Sequence, residues 1–361
     1  MSKRPPRPKT NPHRSPSQPP NQSRAASTFT LQPHPLPQQR AAYTGRVTTA
    51  SWFELVGFLV GLLFGSFLNV CISRLPEHES IVSPRSRCTE CRHPIRWLDN
   101  IPLLSWLILR AKCRHCRKRI SWRYPAVELA VGLWFAFVAG WLCRVLVGPG
   151  SAGAARDSSA AVPLATDILA IAILGFLLIG LIVMDWRTKR LPDAFTLTGI
   201  AIGFGLLCVR AGFNPDGTGD IVLNTTRQWR MSGPGSFQST GNVFLTGTEA
   251  MVLGRVAAIL GAALILLSIR WIYRALRGQD GMGLGDVKLL AMIAAFLGFG
   301  GALLSLFAGV MAAAAYALVL LATRRATAKS KIPFGSFLGL GGLFAAVVGA
   351  RLLDWYLGFW R

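Results

Sequence analysis

Long apolar runs dominate the chain from Trp52 onward, and short polar stretches separate them. A helix needs about 20 predominantly apolar residues to cross the hydrocarbon core of a bilayer. Five runs near this length are predicted to span a membrane. They lie near residues 52–73, 126–148, 166–185, 192–210 and 250–273.

The longest apolar run contains no charged residue from Leu289 to Thr323. At about 1.5 Å of rise per residue it is too long for a single crossing. The glycine-rich break at residues 298–301 divides it into two spans, and a last span is predicted near residues 333–355. The predicted fold class is therefore all-α, a polytopic membrane protein with about eight transmembrane helices.

The composition agrees with this prediction, because 52% of the residues are hydrophobic and only 15% are charged. The formal net charge is +23, but most of the Lys and Arg residues lie in a few loops and in the N-terminal tail. This distribution indicates orientation in a membrane rather than nucleic-acid binding. We therefore expect the lipid bilayer as a partner, and no nucleic acid.

Two acids stand at membrane boundaries, and the order of the spans places them on the same side. Asp185 ends the third span and Asp286 precedes the sixth, so two crossings separate them. On that side, residues 74–123 carry twelve Lys and Arg against four acids, whereas the opposite loops at 149–165 and 211–249 carry three Arg between them. The positive-inside rule predicts that both acids face the cytoplasm.

Three regions follow from this topology. Residues 1–50 are rich in Pro, Ser, Gln and Arg and contain no acid, which predicts a disordered basic tail. The tail would lie outside, against the positive-inside trend, and a translation start near Val47 would remove that conflict. Residues 51–125 contain the first span and a cytoplasmic loop. Residues 126–361 form the main membrane domain, with an outer insertion at 211–249.

The two acids invite a catalytic interpretation. Alone, Asp185 is explained as an interfacial residue paired with Arg187 or Lys189. With Asp286 at similar depth, two carboxylates meeting between helices explain the pattern better. Two close acids in a low-dielectric site cannot both ionise cheaply, so one keeps a proton while the other polarises water. That arrangement suits general acid and base attack on a peptide bond.

Neighbouring residues leave two questions open. Asp193 is the second-ranked candidate for the first acid, although an acid at the start of a helix is ordinarily a cap. Lys288 either tunes a carboxylate or extends its ammonium group to the interface. The glycines within residues 281–285 leave the backbone before Asp286 free to bend.

Four of the seven cysteines form two Cys-x-x-Cys pairs, and 21 residues separate the pairs: Cys88 with Cys91, and Cys113 with Cys116. This spacing is typical of a four-thiolate zinc site. A redox dithiol or paired disulfides are the alternative, and His93 or His115 could replace a thiolate. Zinc here would be structural, because so polar a loop has little core of its own.

Several motifs together resemble the GxGD membrane aspartyl proteases, specifically the type IV prepilin peptidases. The resemblance covers about residues 52–357. Besides Asp185 and the cysteine pairs, the matching motifs are Gly283-Leu-Gly-Asp286, Gly65-Ser-Phe-Leu-Asn-Val70, Asn100-Ile-Pro-Leu-Leu-Ser-Trp106, Trp122-Arg-Tyr-Pro125 with Glu128, and Ile332-Pro-Phe-Gly335.

The resemblance implies a bifunctional enzyme of the bacterial inner membrane with Asp185 and Asp286 as the protease dyad. The family cleaves the leader of type IV prepilins and type II secretion pseudopilins at the cytoplasmic face. It then N-methylates the new amino terminus with S-adenosylmethionine, and the first cytoplasmic loop serves that step. Glu128 and Arg123 are the expected methyl-donor residues, with an interfacial salt bridge as the alternative.

Two other functions are weighed against this one. A non-catalytic membrane scaffold or sensor would explain the zinc knuckles and the basic loops, but not two acids at matched depth on one side. A peptidase without methyltransferase activity would explain the acids and leave the role of the first loop open.

Overall fold

The protein was analysed as a computed structural model, which describes residues 37–77, 79–83, 86–88, 90–147, 158–213, 248–279, 282–323 and 333–359. The described residues form eight α-helices and two short 3-10 helices, without a β-strand, which confirms the all-α prediction. The helices are α1 (Pro37–Arg74), α2 (Leu104–Ile108), α3 (Arg123–Val147), α4 (Ser158–Thr188), α5 (Asp193–Phe213), α6 (Thr248–Arg277), α7 (Leu284–Ala322) and α8 (Phe334–Phe359).

The ends of the described segments bear on the regions predicted from sequence. α1 begins at Pro37, so residues 37–50, which the sequence placed in the tail, belong to this helix. Proline suits the first helical position because its missing N–H would have no partner there. The rest of the predicted tail, residues 1–36, and most of the predicted insertion, residues 214–247, lie outside the described residues.

Six helices of the described chain are long and apolar enough to cross a membrane, and a shorter apolar helix follows at Phe334–Gly349. Five of the six correspond to the first five predicted spans. The sixth is α7, which has 39 residues and would measure about 58 Å if straight, nearly twice the thickness of a bilayer core. The number of spans therefore depends on whether α7 is one continuous helix or two helices joined by a turn.

α7 is broken at Gly298, where φ is 74° and ψ is −176°. This left-handed backbone angle is readily adopted only by glycine. The break falls at the first residue of the glycine-rich segment predicted to divide the run. We call the two parts α7a (residues 284–297) and α7b (residues 299–322).

Contacts with α8 show that the chain reverses direction at this break. The close approaches are Gly335 with Asp286, Gly342 with Ile293, Gly309 with Leu338, and Gly341 with Ser305. Residue numbers in α8 rise together with those of α7a, but they rise as those of α7b fall. α8 is therefore parallel to α7a and antiparallel to α7b, which is the arrangement of two successive spans.

α1 and α3 pack closely along a row of glycines. Gly57, Gly61 and Gly65 recur every fourth residue and so lie on one face of α1. At Gly65 an added Cβ would stand 2.6 Å from the Cα of Glu128, and the other two glycines meet α3 as closely. Small residues allow such backbone contact between membrane helices. The loop between α1 and α3 is therefore tied at both ends to one tight helix pair.

Candidate active site

Asp185 lies in the last turn of α4, directly after the fully buried Met184, and is itself only 5% exposed. The helix ends at Thr188 because Lys189 takes a left-handed conformation and donates its N–H to the Asp185 carbonyl. The Asp185 carboxylate accepts a 2.6 Å hydrogen bond from the backbone N–H of Ser336. The Ser336 hydroxyl lies 2.9 Å from the same carboxylate and 3.0 Å from the Ile182 carbonyl, and its one proton serves either acceptor. Ser336 rather than Arg187 or Lys189 is thus the observed partner of this carboxylate.

Asp286 is the third residue of α7 and is 8% exposed. The carboxylate lies beside Gly283, the N-cap residue, where an added Cβ would stand 3.8 Å from Asp286 Oδ2. An acid in the first turn interacts favourably with the helix dipole. The helix start therefore fixes the Asp286 side chain locally.

Gly335 lies between the two acids, at the start of α8. A Cβ added to Gly335 would stand 3.0 Å from Asp286 Oδ1 and 3.1 Å from Asp185 Cγ. Because both distances share that one point, the two carboxyl atoms are separated by no more than their sum. The structure therefore brings together the two acids predicted from sequence, across a position that has room only for glycine.

Aromatic side chains next to the acids connect three helices. Trp186 of α4, Tyr316 of α7b and Phe337 of α8 have ring centroids between 5.2 and 6.3 Å apart. Such ring pairs stabilise packing beyond the apolar area that they bury. This cluster adjoins Asp185 and Ser336 in sequence and holds α8 against α4.

Asp193 and Lys288 form an ion pair with 2.6 Å between Oδ1 and Nζ. The Asp193 side chain is 61% exposed and stands in the first turn of α5, where an acid caps the helix. This contact gives Lys288 a partner other than the two buried acids. The geometry therefore favours Asp185 over Asp193 as the first acid of the pair.

The four cysteines of the loop come together as the spacing predicts. All four Sγ atoms lie within 4.8 Å of one another, and those of Cys88 and Cys116 are 3.8 Å apart. Four thiolates at 2.3 Å from a tetrahedral zinc ion have sulfur atoms about 3.8 Å apart. The donor set therefore fits zinc.

The two knuckles have the same local structure. Cys88 N–H donates to the His93 carbonyl and Cys113 N–H to the Lys118 carbonyl, five residues on in each case. The residue after the second cysteine of each pair, Arg92 or Arg117, has a positive φ. None of the seven cysteines forms a disulfide.

Glu128 and Arg123 are placed differently from each other. Arg123 begins α3 with an exposed side chain, whereas Glu128 is buried and its Oε2 accepts a 2.8 Å hydrogen bond from the backbone N–H of Leu103. Five residues along a helix turn the side chains about 140° apart. The structure therefore does not bring the two residues together, and Glu128 holds the loop through Leu103 instead of forming the salt bridge considered as the alternative.

Sequence reasoning did not single out Ser336 or the loop contact of Glu128. Ser336 lies 151 residues from Asp185, and Leu103 lies 25 residues from Glu128. The only available signal was the Pro-Phe-Gly motif ending at Gly335, which precedes a hydroxyl residue at the start of an apolar run.

Comparison with known proteins gives two family matches. Residues 59–142 match the Bacterial Peptidase A24 N-terminal domain, and residues 240–318 match the Type IV leader peptidase family. The first match contains the four clustered cysteines and the second contains Asp286. No solved structure matches the chain.

Several relatives are named prepilin leader peptidase/N-methyltransferase. The one from Aeromonas hydrophila is 32% identical over 330 residues, covering 85% of this chain and 94% of the relative. The one from Stutzerimonas stutzeri is 31% identical over 332 residues, covering 86% and 95%. The one from Klebsiella pneumoniae is 35% identical over 248 residues, covering 67% and 84%. With its buried acid pair and its cysteine cluster, this chain belongs to the type IV leader peptidase family, a family of aspartic proteases.

Proposed function

We propose that this protein cleaves the leader peptide of type IV prepilins and type II secretion pseudopilins, and that it N-methylates the new amino terminus. The short distances from Asp185 and Asp286 to Gly335, which lies between them, support leader cleavage. Two carboxylates buried this close together at the ends of membrane helices lower the stability of the fold, so their presence indicates a functional site. The names of the relatives support the pairing of both activities in one chain.

We give the two acids different roles. In the proposed mechanism Asp185 is the ionised acid, since the Ser336 backbone N–H donates to its carboxylate and the Ser336 hydroxyl donates either to it or to the Ile182 carbonyl. The close negative charge then favours a proton on Asp286. Asp185 takes a proton from water as the water oxygen adds to the scissile carbonyl carbon. Asp286 donates its proton, and the carbon–nitrogen bond breaks as the leaving nitrogen becomes an amine.

The proposed site faces the cytoplasm of a bacterial inner membrane. This orientation rests on the basic loop at residues 74–123, which follows the positive-inside rule and shares a side with both acids. Glycines before Asp286 would let the backbone adjust to an extended substrate, because a helical peptide shields its scissile carbonyl.

For the second activity, S-adenosylmethionine supplies the methyl group when it is bound. The exposed Arg123 side chain suits the carboxylate of S-adenosylmethionine. Glu128, which contacts Leu103 of the loop, would lie near the positively charged sulfonium of the same molecule. Glu128 Oε2 already accepts a hydrogen bond from Leu103, so Glu128 would contact the methyl donor through its other carboxylate oxygen. The clustered cysteines would hold zinc and give the loop a fixed shape.

A prepilin assay tests the proposal. Purified protein is incubated with a prepilin, with and without S-adenosylmethionine, and the product mass is measured. Wild-type protein should remove the leader and add one methyl group when the donor is present. Asp185→Asn and Asp286→Asn, both isosteric, should abolish cleavage while the protein remains inserted in the membrane.

Three outcomes would contradict parts of the proposal. Retained cleavage in both Asn variants would exclude the dyad, and no cleavage by the wild-type protein would favour the scaffold or sensor alternative. Leader loss without a gain of methyl mass would leave a peptidase alone. Arg123→Gln and Glu128→Gln should lower methyl transfer more than cleavage, which separates the donor site from the peptidase site.

A further inference from the structure

The short helix α2 is fixed at the level of the membrane-spanning helices. The N–H of Leu103, the residue before α2, donates to Glu128 Oε2 at 2.8 Å. Glu128 lies five residues into α3, about 7.5 Å along its axis from Arg123. At the same depth Gly65 of α1 touches Glu128. α2 therefore begins beside the ends of two spans rather than out in the cytoplasm.

One face of α2 is apolar and uncovered. Leu104, Leu107 and Ile108 are between 50% and 66% exposed. Their spacing of three and four residues places them on the same side of the helix. Three exposed aliphatic side chains on one turn and a half of helix form a surface that water solvates poorly.

A basic groove of about 460 Å³ begins at Trp106 of the same helix and continues into the residues after it. Its cations are Arg110, Lys112 and Arg119, and no acid is among its lining residues. Trp106 and Trp122 form its aromatic walls, and Trp122, which is 68% exposed, directly precedes α3. Tryptophan at the end of a span is typical of the interface between lipid headgroups and acyl chains.

We propose that α2 and this groove form an interfacial anchor that binds the phosphate groups of anionic phospholipids in the adjoining leaflet. The aliphatic face of α2 would lie among the upper acyl chains, as in other amphipathic interfacial helices. The three cations would contact headgroup phosphates, and each basic residue near a charged leaflet strengthens membrane attachment. The anchor would hold the cysteine-cluster domain against the membrane surface.

The depth and charge of this surface favour a lipid over a peptide. A peptide in the groove would leave the aliphatic face of α2 uncovered at membrane depth, whereas a lipid covers the face with acyl chains and the groove with its headgroup. The proposal does not depend on the peptidase or methyltransferase activity.

Hydrogen–deuterium exchange of the full-length protein in nanodiscs tests the anchor. One set of discs contains phosphatidylcholine alone, and the other contains about 30% phosphatidylglycerol. Amides of residues 104–112 should exchange at least about fivefold more slowly in the anionic discs, and 0.5 M NaCl should reverse much of that protection. The triple variant Arg110→Gln, Lys112→Gln and Arg119→Gln should lose the difference between the two lipids.

A matched variant controls for charge. Arg87→Gln, Arg96→Gln and Lys118→Gln remove the same charge from the same domain outside the groove, and this protein should keep the protection. Leader cleavage in detergent should be unchanged in both triple variants, which shows that they are folded. Equal exchange in both lipids, or equal loss in the control variant, would overturn the proposal. Protection that needs added prepilin rather than anionic lipid would identify a substrate surface instead.

Discussion

Asp185 and Asp286 lie at the ends of long helices and are almost completely buried, whereas the four cysteines lie in a loop without a core. No described residue between 79 and 122 is buried, and short hydrogen-bonded turns hold the loop together. The acid pair is built by helix packing, and the cysteine cluster is built by local turns that bring four thiols together. One protein thus positions reactive groups in two physically different ways.

Because of this difference, different kinds of substitution should damage the two sites. Volume matters at the acid pair, because Gly335 between the two carboxyl groups has no room for a side chain. Ligand chemistry matters at the cysteine cluster, because few apolar contacts would replace a lost metal. The ion pair of Asp99 with Arg114, which lowers the pKa of the Asp99 carboxyl, braces the second knuckle but is exposed on the Arg114 side. Four predictions separate the two regions.

Loss of a zinc ligand should have the largest effect, and it should be confined to the loop. Cys113→Ser, or removal of metal by a chelator, should abolish bound zinc and make residues 79–122 at least about tenfold more sensitive to limited proteolysis. Methyl transfer should be lost, and leader cleavage should stay within a few-fold. Cys208→Ser in α5 is the matched control and should retain zinc. Unchanged zinc content in the Cys113 variant would exclude the four-thiolate site.

A single methyl group between the acids should have the next largest effect. Gly335→Ala places a Cβ 3.0 Å from Asp286 Oδ1, so the carboxylates must move apart. Displacements of this kind cost about 100-fold in rate, and cleavage should fall by that much. Gly342→Ala is equally crowded, by Leu178 and Ile293, but two turns away along α8. That variant should lose stability and keep most of its activity. Equal loss in both variants would point to packing rather than to the acid pair.

The hydroxyl of Ser336 should matter less than the glycine beside it. Ser336→Ala keeps the backbone hydrogen bond to Asp185 and loses the side-chain bond. Hydrogen bonds to charged groups contribute about 1.5–3 kcal/mol. Because the Ile182 carbonyl competes for the Ser336 hydroxyl, we expect the lower end of this range, a fall in kcat of about tenfold with KM nearly unchanged. Ser336→Thr should restore the rate. A Thr variant as slow as Ala would indicate a packing role instead.

The smallest effect is expected at the exposed ion pair. Lys288→Gln and Asp193→Asn each remove a contact of a kind that contributes about 0.2–1 kcal/mol. Cleavage should therefore change less than about fivefold in either variant, as measured by initial rates. If Asp193→Asn abolishes cleavage, Asp193 rather than Asp185 is the first catalytic acid.

The sequence predicted those features that depend on local order or on counting. The cysteine pairs were predictable because knuckle turns are local, and the two acids were predictable as one pair because crossings fix the side on which each emerges. The break of the long apolar run was predictable because its length exceeds one crossing and glycines mark the turn. The full extent of α1 was not predictable from the sequence, since residues 37–50 lack apolar periodicity.

The sequence by itself determined the all-α membrane fold, the cysteine cluster and the shared side of Asp185 and Asp286. Only the tertiary structure decided that Gly335 separates the acids, that Ser336 binds Asp185, and that Glu128 is occupied by the loop. The physical reason is distance along the chain. Hydropathy and motif spacing report on neighbouring residues, whereas a hydrogen bond across 151 residues depends on how three helices pack.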